Sequence, residues 1–114
     1  MSFILSTDNI KCVEGFTLYL AVIRLGDVSL PEQVMVSTSS GSAKEGLDFE
    51  GIKRLLHFEK GRRQVNFDLL IYRDELLEFP ETFTVQLLQY PQQGIQGQLG
   101  EPSTCVVTII DDNP

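Results

Sequence analysis

Hydrophobic and polar side chains alternate with a period of two along most of this chain. Leu18, Leu20 and Val22 share one side of one run, and Val65, Phe67, Leu69 and Ile71 share one side of another. That spacing sends successive residues of a strand to opposite faces. No stretch repeats its apolar residues at helical spacing. Turn chemistry separates the runs at Gly26-Asp27, at Ser39-Ser40-Gly41-Ser42, at Lys60-Gly61, and in the Gly/Gln-rich segment from Gln92 to Gly100. Strands are therefore predicted near 3–5 continuing at 9–13, then over 16–25, 33–38, 52–58, 64–72, 82–89 and 103–110. Seven short strands with no helices between them specify an all-β fold of two antiparallel sheets packed face to face.

The run from Phe16 to Leu25 departs from simple alternation, because its opposite face carries Tyr19, Ala21, Ile23 and Leu25. A central strand whose outer face is covered by neighbouring loops or long side chains accounts for this. The alternative is a contact patch for an adjacent repeat or a protein partner.

A length of 114 residues with 42% hydrophobic content suits one domain with one modest core. The formal net charge of -7 disfavours nucleic acid and anionic membrane surfaces as partners and favours cations or basic partners. No apolar run approaches the ~20 residues that a membrane-spanning helix needs. The terminal run Ile109-Ile110-Asp111-Asp112-Asn113-Pro114 passes from a predicted strand straight to the end, as expected of a repeat excised at its linker from a larger protein. Cys12 and Cys105 occupy inward positions of predicted strands, so they are expected as buried thiols acting as small hydrophobes, with a mutual disulfide as the alternative.

Carboxylates concentrate where predicted strands end. Glu14-Gly15 follows one strand, Arg73-Asp74-Glu75-Leu76-Leu77-Glu78-Phe79-Pro80-Glu81 joins two others, Asp111-Asp112-Asn113 follows the last, and Leu47-Asp48-Phe49 adds a fourth segment. Calcium takes several oxygen ligands at once, and one sandwich loop rarely supplies them all. Loops separated by an even number of antiparallel strands return to the same end, so these segments can converge. Crowding Asp74, Glu75, Glu78 and Glu81 into one connection also raises the energy of the domain unless cations or bases compensate. A solvated acidic loop is the structural alternative.

The run Glu78-Phe79-Pro80-Glu81-Thr82-Phe83-Thr84-Val85-Gln86-Leu87 resembles the E-x-x-E-x-F-x-V-x-L signature of Calx-beta domains. The ending Gly100-Glu101-Pro102-Ser103-Thr104-Cys105-Val106-Val107-Thr108-Ile109-Ile110-Asp111-Asp112 is similar to that family's closing motif. Val13-Glu14-Gly15, Gly41-Ser42-Ala43 followed by Gly46-Leu47-Asp48-Phe49, and Phe58-Glu59-Lys60-Gly61 fit in order between them, so the resemblance covers nearly the whole chain. It implies an immunoglobulin-like β-sandwich of about seven antiparallel strands, found as single or tandem repeats in sodium–calcium exchangers, integrin beta-4, and large cell-surface or matrix proteins. It also implies calcium ions held by strand-end carboxylates. The matching positions are Glu14, Asp48, Asp74, Glu78, Glu81, Asp111 and Asp112, with the backbone carbonyl of Leu76. Glu75 stands where binding members often carry Asp. Two positions depart from the family's pattern: Arg73 stands where strong binders have an acid, and Asn113 replaces a third terminal Asp. An arginine there can take the place of an ion by pairing with Asp or Glu.

Enzymatic chemistry is not expected. His57 lies in an alternating run with neither a nucleophile nor an orienting acid beside it. Glu78 and Glu81 have a glycosidase-like pairing but no substrate cleft around them. Lys53-Arg54 and Lys60-Gly61-Arg62-Arg63 are expected as solvated turns, with docking of an acidic neighbour as the minor reading. The expectation is a calcium-binding repeat in the extracellular part of a cell-surface or matrix protein, contacting neighbouring repeats of the same chain and no membrane directly. A cytoplasmic loop of a membrane protein is the alternative setting, and a structural or adhesive repeat with degenerate ion sites is the alternative function.

Overall fold

The computed structural model of this chain describes residues 2–73, 80–89 and 98–110. Its strands are β1 (Ser2–Leu5), β2 (Asn9–Val13), β3 (Thr17–Leu25), β4 (Glu32–Ser40), β5 (Lys53–Phe58), β6 (Gln64–Leu70), β7 (Glu81–Gln89), β8 (Gln98–Leu99) and β9 (Thr104–Ile110). They form two sheets, with strand orders β6-β3-β1-β8 and β2-β9-β7-β4-β5. The alternation seen in the sequence sets which residues meet between them. Leu18, Leu20, Val22, Phe67, Leu69 and Ile71 face inward from one sheet, and Val34, Val36, Phe83, Val85, Leu87, Cys105 and Val107 from the other; all are buried. Each large aliphatic or aromatic side chain removed from water in this way contributes roughly 1.5–3 kcal/mol.

Two features go beyond seven antiparallel strands. The first predicted strand is split in two, because residues 6–8 carry the chain from one sheet to the other: Ser6 N donates to Ala21 O at 2.9 Å while Val106 N donates to Asp8 O at 3.0 Å. Without a reversal between them, β2 runs parallel to β9. The second is β8, which pairs parallel with β1 from within the segment expected to be a break. Gly100 permits this approach. Its amide donates to Phe3 O at 2.8 Å, and a Cβ there would lie 2.9 Å from Ile4 Cγ2, closer than side chains pack.

The outer face of β3, flanked by β1 and β6, is covered only in part. Ala21 is buried and Ile23 half-buried, as expected of a central strand, while Tyr19 and Leu25 are exposed.

The inward alternation of β3 continues through Arg24, a position no apolar pattern predicts. Arg24 is fully buried. Its Nε donates to Arg62 O at 3.0 Å, Nη1 to Leu30 O at 2.7 Å and Nη2 to Glu59 O at 3.0 Å, and its guanidinium sits 5.6 Å from the Phe58 ring centroid. A buried cation is tolerated only when its donors are used, and here the fork is spent on carbonyls from the two turns at this end of the sandwich. Arg24→Ala removes three charge-assisted hydrogen bonds and leaves those carbonyls without this partner. It is expected to lower the unfolding free energy by about 3 kcal/mol, read from urea denaturation midpoints at unchanged m-value.

Candidate functional site

At the end away from Arg24, the chain after β2 makes a turn that touches both sheets. Glu14 N donates to Ile110 O at 3.1 Å, at the end of β9, and Gly15 N donates to Ile71 O at 2.9 Å, just beyond β6. Ile71 N answers with a 3.0 Å bond to Phe16 O. Gly15 has φ of 83°, a left-handed conformation that disfavours any side chain. A Cβ on Gly15 would lie 3.7 Å from both Cβ and Cδ of Arg73, so the arginine's stem lies over this turn. Glu14 itself is only 5% exposed.

The connection from β4 to β5 folds against the same end. Ala43 N donates to Thr82 O at 2.9 Å, and Thr82 N donates to Ser42 Oγ at 2.9 Å. Phe49 is buried and stacks on Phe83, with ring centroids 3.7 Å apart and planes 9° apart. This aromatic plug fixes Asp48, whose Oδ2 accepts from Lys44 N at 2.7 Å and whose carbonyl accepts from Tyr72 N at 2.9 Å. Glu45 and Glu50 are two further carboxylates of this loop that the motif comparison passed over. Glu45 Oε1 accepts from Thr38 Oγ1 at 2.8 Å, and Glu50 Oε1 accepts from Leu70 N at 3.0 Å. A Cβ on Gly51 would collide with the Glu45 carboxyl, so this glycine next to the carboxylates was the available sequence signal.

Of the candidate calcium ligands, Glu14, Asp48 and Glu81 are described. Glu14 adjoins Ile110, Asp48 adjoins Tyr72, and Glu81 lies opposite Ile109 in the β7–β9 register. All three therefore occupy one end of the sandwich. Asp74, Leu76, Glu78, Asp111 and Asp112, together with Glu75 and Asn113, lie outside the described residues. Among the described residues no three His, Cys, Asp or Glu side chains come together as a metal-binding group. The carboxylates are hard oxygen donors of the kind calcium takes, and the described ones do not complete a ligand shell by themselves. His57 is exposed on β5.

The two cysteines are free thiols. Cys12 sits opposite Ile109 and Asn9 opposite Val106 in the parallel β2–β9 register, so Cys105 lies several residues along from Cys12. Burial pushes both thiols up to about 11, from a usual value of 9.0, with Asp8 adding to the effect at Cys105. A thiol raised in the folded state binds its proton more tightly there than in the unfolded chain. Its stabilising contribution is thus complete below pH 9 and is lost as pH rises towards 11. Melting curves across that window should fall more steeply for the unaltered chain than for a Cys12→Ala, Cys105→Ala variant. Cys105 is buried as expected while Cys12 is half-buried, so at neutral pH Cys105 should react with a maleimide only on unfolding and Cys12 more readily.

The architecture is a two-sheet β-sandwich with carboxylates gathered at one end. The family model described as the Calx-beta domain matches residues 2–113, and the chain belongs to this family. Among curated relatives it is 35% identical over 94 residues to extracellular matrix organizing protein FRAS1 of Homo sapiens, covering 82% of this chain and 2% of that protein. It is 35% identical over 92 residues to sodium/calcium exchanger Calx of Drosophila melanogaster, covering 81% of this chain and 9% of that protein. Among solved structures, CBD12 from CALX1.2 aligns at a TM-score of 0.89 with 30% identity over 98% of this chain and 46% of that one. The apo-form Calx CBD1 domain aligns at 0.87 with 29% identity, over 99% of this chain and 100% of that one. The chain thus spans a small fraction of the curated relatives and the whole of one solved domain.

Proposed function

We propose that residues 1–114 form one calcium-binding, non-catalytic repeat of a larger cell-surface or matrix protein, in which bound calcium stiffens or regulates the end of the sandwich that joins the next repeat. The observation that carries this reading is the meeting of strand ends from both sheets around Glu14: main-chain bonds tie its turn to Ile110 and Ile71, beside Asp48 and Glu81. The donor set assigned to the ion is Glu14, Asp48 and Glu81 with Asp74, Glu78, Asp111, Asp112 and the Leu76 carbonyl. Calcium supplies there a divalent charge that offsets crowded carboxylates. The chain's own part is to hold hard oxygens on a rigid rim, with the Phe49–Phe83 stack fixing the loop that bears Asp48. Likeness to the solved calcium binding domain CBD12 of CALX1.1 supports the same reading. An extracellular setting accords with the relationship to a matrix protein and a cytoplasmic loop with that to the exchangers; we favour the former.

A second reading rests on Arg73, whose stem covers the Gly15 turn next to buried Glu14. In it, a fixed guanidinium replaces an ion among the carboxylates, and the domain is a structural or adhesive repeat.

Isothermal titration and melting curves with calcium or chelator decide between them. Calcium that binds only the folded state should raise the melting temperature, adding about 2.7 kcal/mol at a hundredfold excess over Kd. No heat and no shift at millimolar calcium would reject the ion site. In that case Arg73→Asp should create a calcium response, which the second reading requires.

A further inference from the structure

We propose that the outer face of the five-stranded sheet, along β5 and the turn that follows it, is a binding surface for a sulfated polysaccharide. It is a different part of the molecule from the acidic tip, and it acts whether or not calcium binds there.

Charge is unevenly placed on this chain. Of its 16 Asp and Glu residues, none takes an outward position on β2, β4, β5, β7 or β9. More than half of the 9 Lys and Arg, namely Lys53, Arg54, Lys60, Arg62 and Arg63, fall between positions 53 and 63. Arg54 is paired with Asp68 at 3.5 Å. Among the described residues no such ion pair involves the other four, which are exposed. Glu59 is the one acid within the turn. Glu45 and Glu50, the nearest acids before Lys53, turn their carboxylates to Thr38 on the inner face and to Leu70 N on the other sheet. Physiological salt shortens the reach of a charge to ~8 Å, so a ligand lying here meets these cations rather than the net charge of -7.

The basic turn is held in place. Arg62 Nε donates to Gln64 O at 3.0 Å and Arg63 Nη1 to Gly26 O at 3.2 Å; a carbonyl acceptor positions a guanidinium without cancelling its charge. Buried Arg24 braces the same turn through the carbonyls of Glu59 and Arg62. Little loop freedom is then lost when a ligand seats. Lys60, Arg62 and Arg63 stand so close along the chain that they call for closely spaced anions, which sulfate esters on successive sugars supply.

The surface beside the cations suits a sugar chain. Across the sheet Gln33 lies next to His57 and Ser37 next to Lys53, and Gln86 and Thr104 continue the second row. These amides and hydroxyls both donate and accept, as sugar hydroxyls require of a partner. Between the two rows, Leu55, Met35 and Leu88 form an apolar strip on which the C–H faces of sugar rings can rest. A single-stranded nucleic acid would need aromatic side chains for its bases to stack on. Among the described residues the exposed aromatics, Phe16, Tyr19 and Tyr72, belong to β3 and the flanks of β3 and β6 on the other sheet.

The ¹⁵N-labelled chain is titrated, in chelator and at physiological ionic strength, with a size-defined heparin oligosaccharide, with unsulfated hyaluronan of the same length, and with single-stranded and duplex DNA. Heparin is expected to shift amides at residues 33–37, 53–57 and 59–63 and to leave 14–16 and 45–48 unmoved. Hyaluronan and both DNAs should bind at least about tenfold more weakly, lacking either the anion density or the sugar hydroxyls that this face matches. Lys60→Gln should shallow the dependence of log affinity on log salt by about one, the loss of one counterion-releasing contact. A Lys53→Gln, Lys60→Gln variant should weaken heparin about tenfold at an unchanged melting temperature, because neither side chain makes a hydrogen bond among the described residues. Lys44→Gln, at the tip, should leave heparin affinity as it was. No heparin shifts at millimolar sugar, shifts centred away from β5 and its turn, hyaluronan or DNA binding as tightly as heparin, or affinity indifferent to the Lys53→Gln, Lys60→Gln change would overturn the proposal.

Discussion

Two consecutive main-chain amides join the sheets at the acidic end. Glu14 N reaches the last residue of β9 and Gly15 N reaches the residue beyond β6, so one turn belongs to both sheets. The positive φ of Gly15 makes the sequence of bonds possible, because the chain must leave one sheet and enter the other within two residues. An L side chain in that conformation costs roughly 1–2 kcal/mol. Burial of Glu14, coverage by the Arg73 stem, and proximity of β9 to the extension of β6 all follow from this clasp.

The other pole answers the same problem with a side chain. There one main-chain bond, from Gly61 N to Val28 O, joins the two turns, and Arg24 reaches into them to bind three carbonyls over the Phe58 ring. A single buried guanidinium suits this task, since its planar fork presents several donors at fixed angles. The sandwich is thus closed by an acid-bearing turn at one end and by a buried base at the other. Its two ends therefore differ in character.

The layout of the fold was legible in the sequence because a buried face leaves a period-two trace. Val65, Phe67, Leu69 and Ile71 mark one inner face without any knowledge of partners, and Leu18 to Val22 mark another. Pairing direction leaves no such trace: the split of the first strand at residues 6–8 and the parallel runs of β2 and β8 depend on where the chain crosses between sheets. Arg24 went unread in the sequence. The alternation points it inward, but only the fold brings Leu30, Glu59 and Arg62 to its fork. At the tip, motif spacing led to Glu14, Asp48 and Glu81, which share one end. It passed over Glu45 and Glu50 because they reach Thr38 of β4 and Leu70 of β6 from a loop whose path no period encodes.

The clasp also separates the stability of the fold from the chemistry of its tip. The bonds that gather the strand ends run between amides and carbonyls, and apart from the glycine at position 15 they do not depend on which side chains the residues carry. Carboxylates can therefore be exchanged for a cation such as Arg73 while the sandwich remains, since the core supplies its own burial through Phe49, Phe83 and the inner strand faces. An ion at a hundredfold excess over Kd adds about 2.7 kcal/mol, comparable to one well-buried aromatic side chain. Calcium bound on such a frame would adjust the rigidity of an end that is already built. Membership of the family and occupancy of the tip are thus separate properties of the chain, the first written in its inward residues and the second in a few carboxylates on a rim the main chain holds in place.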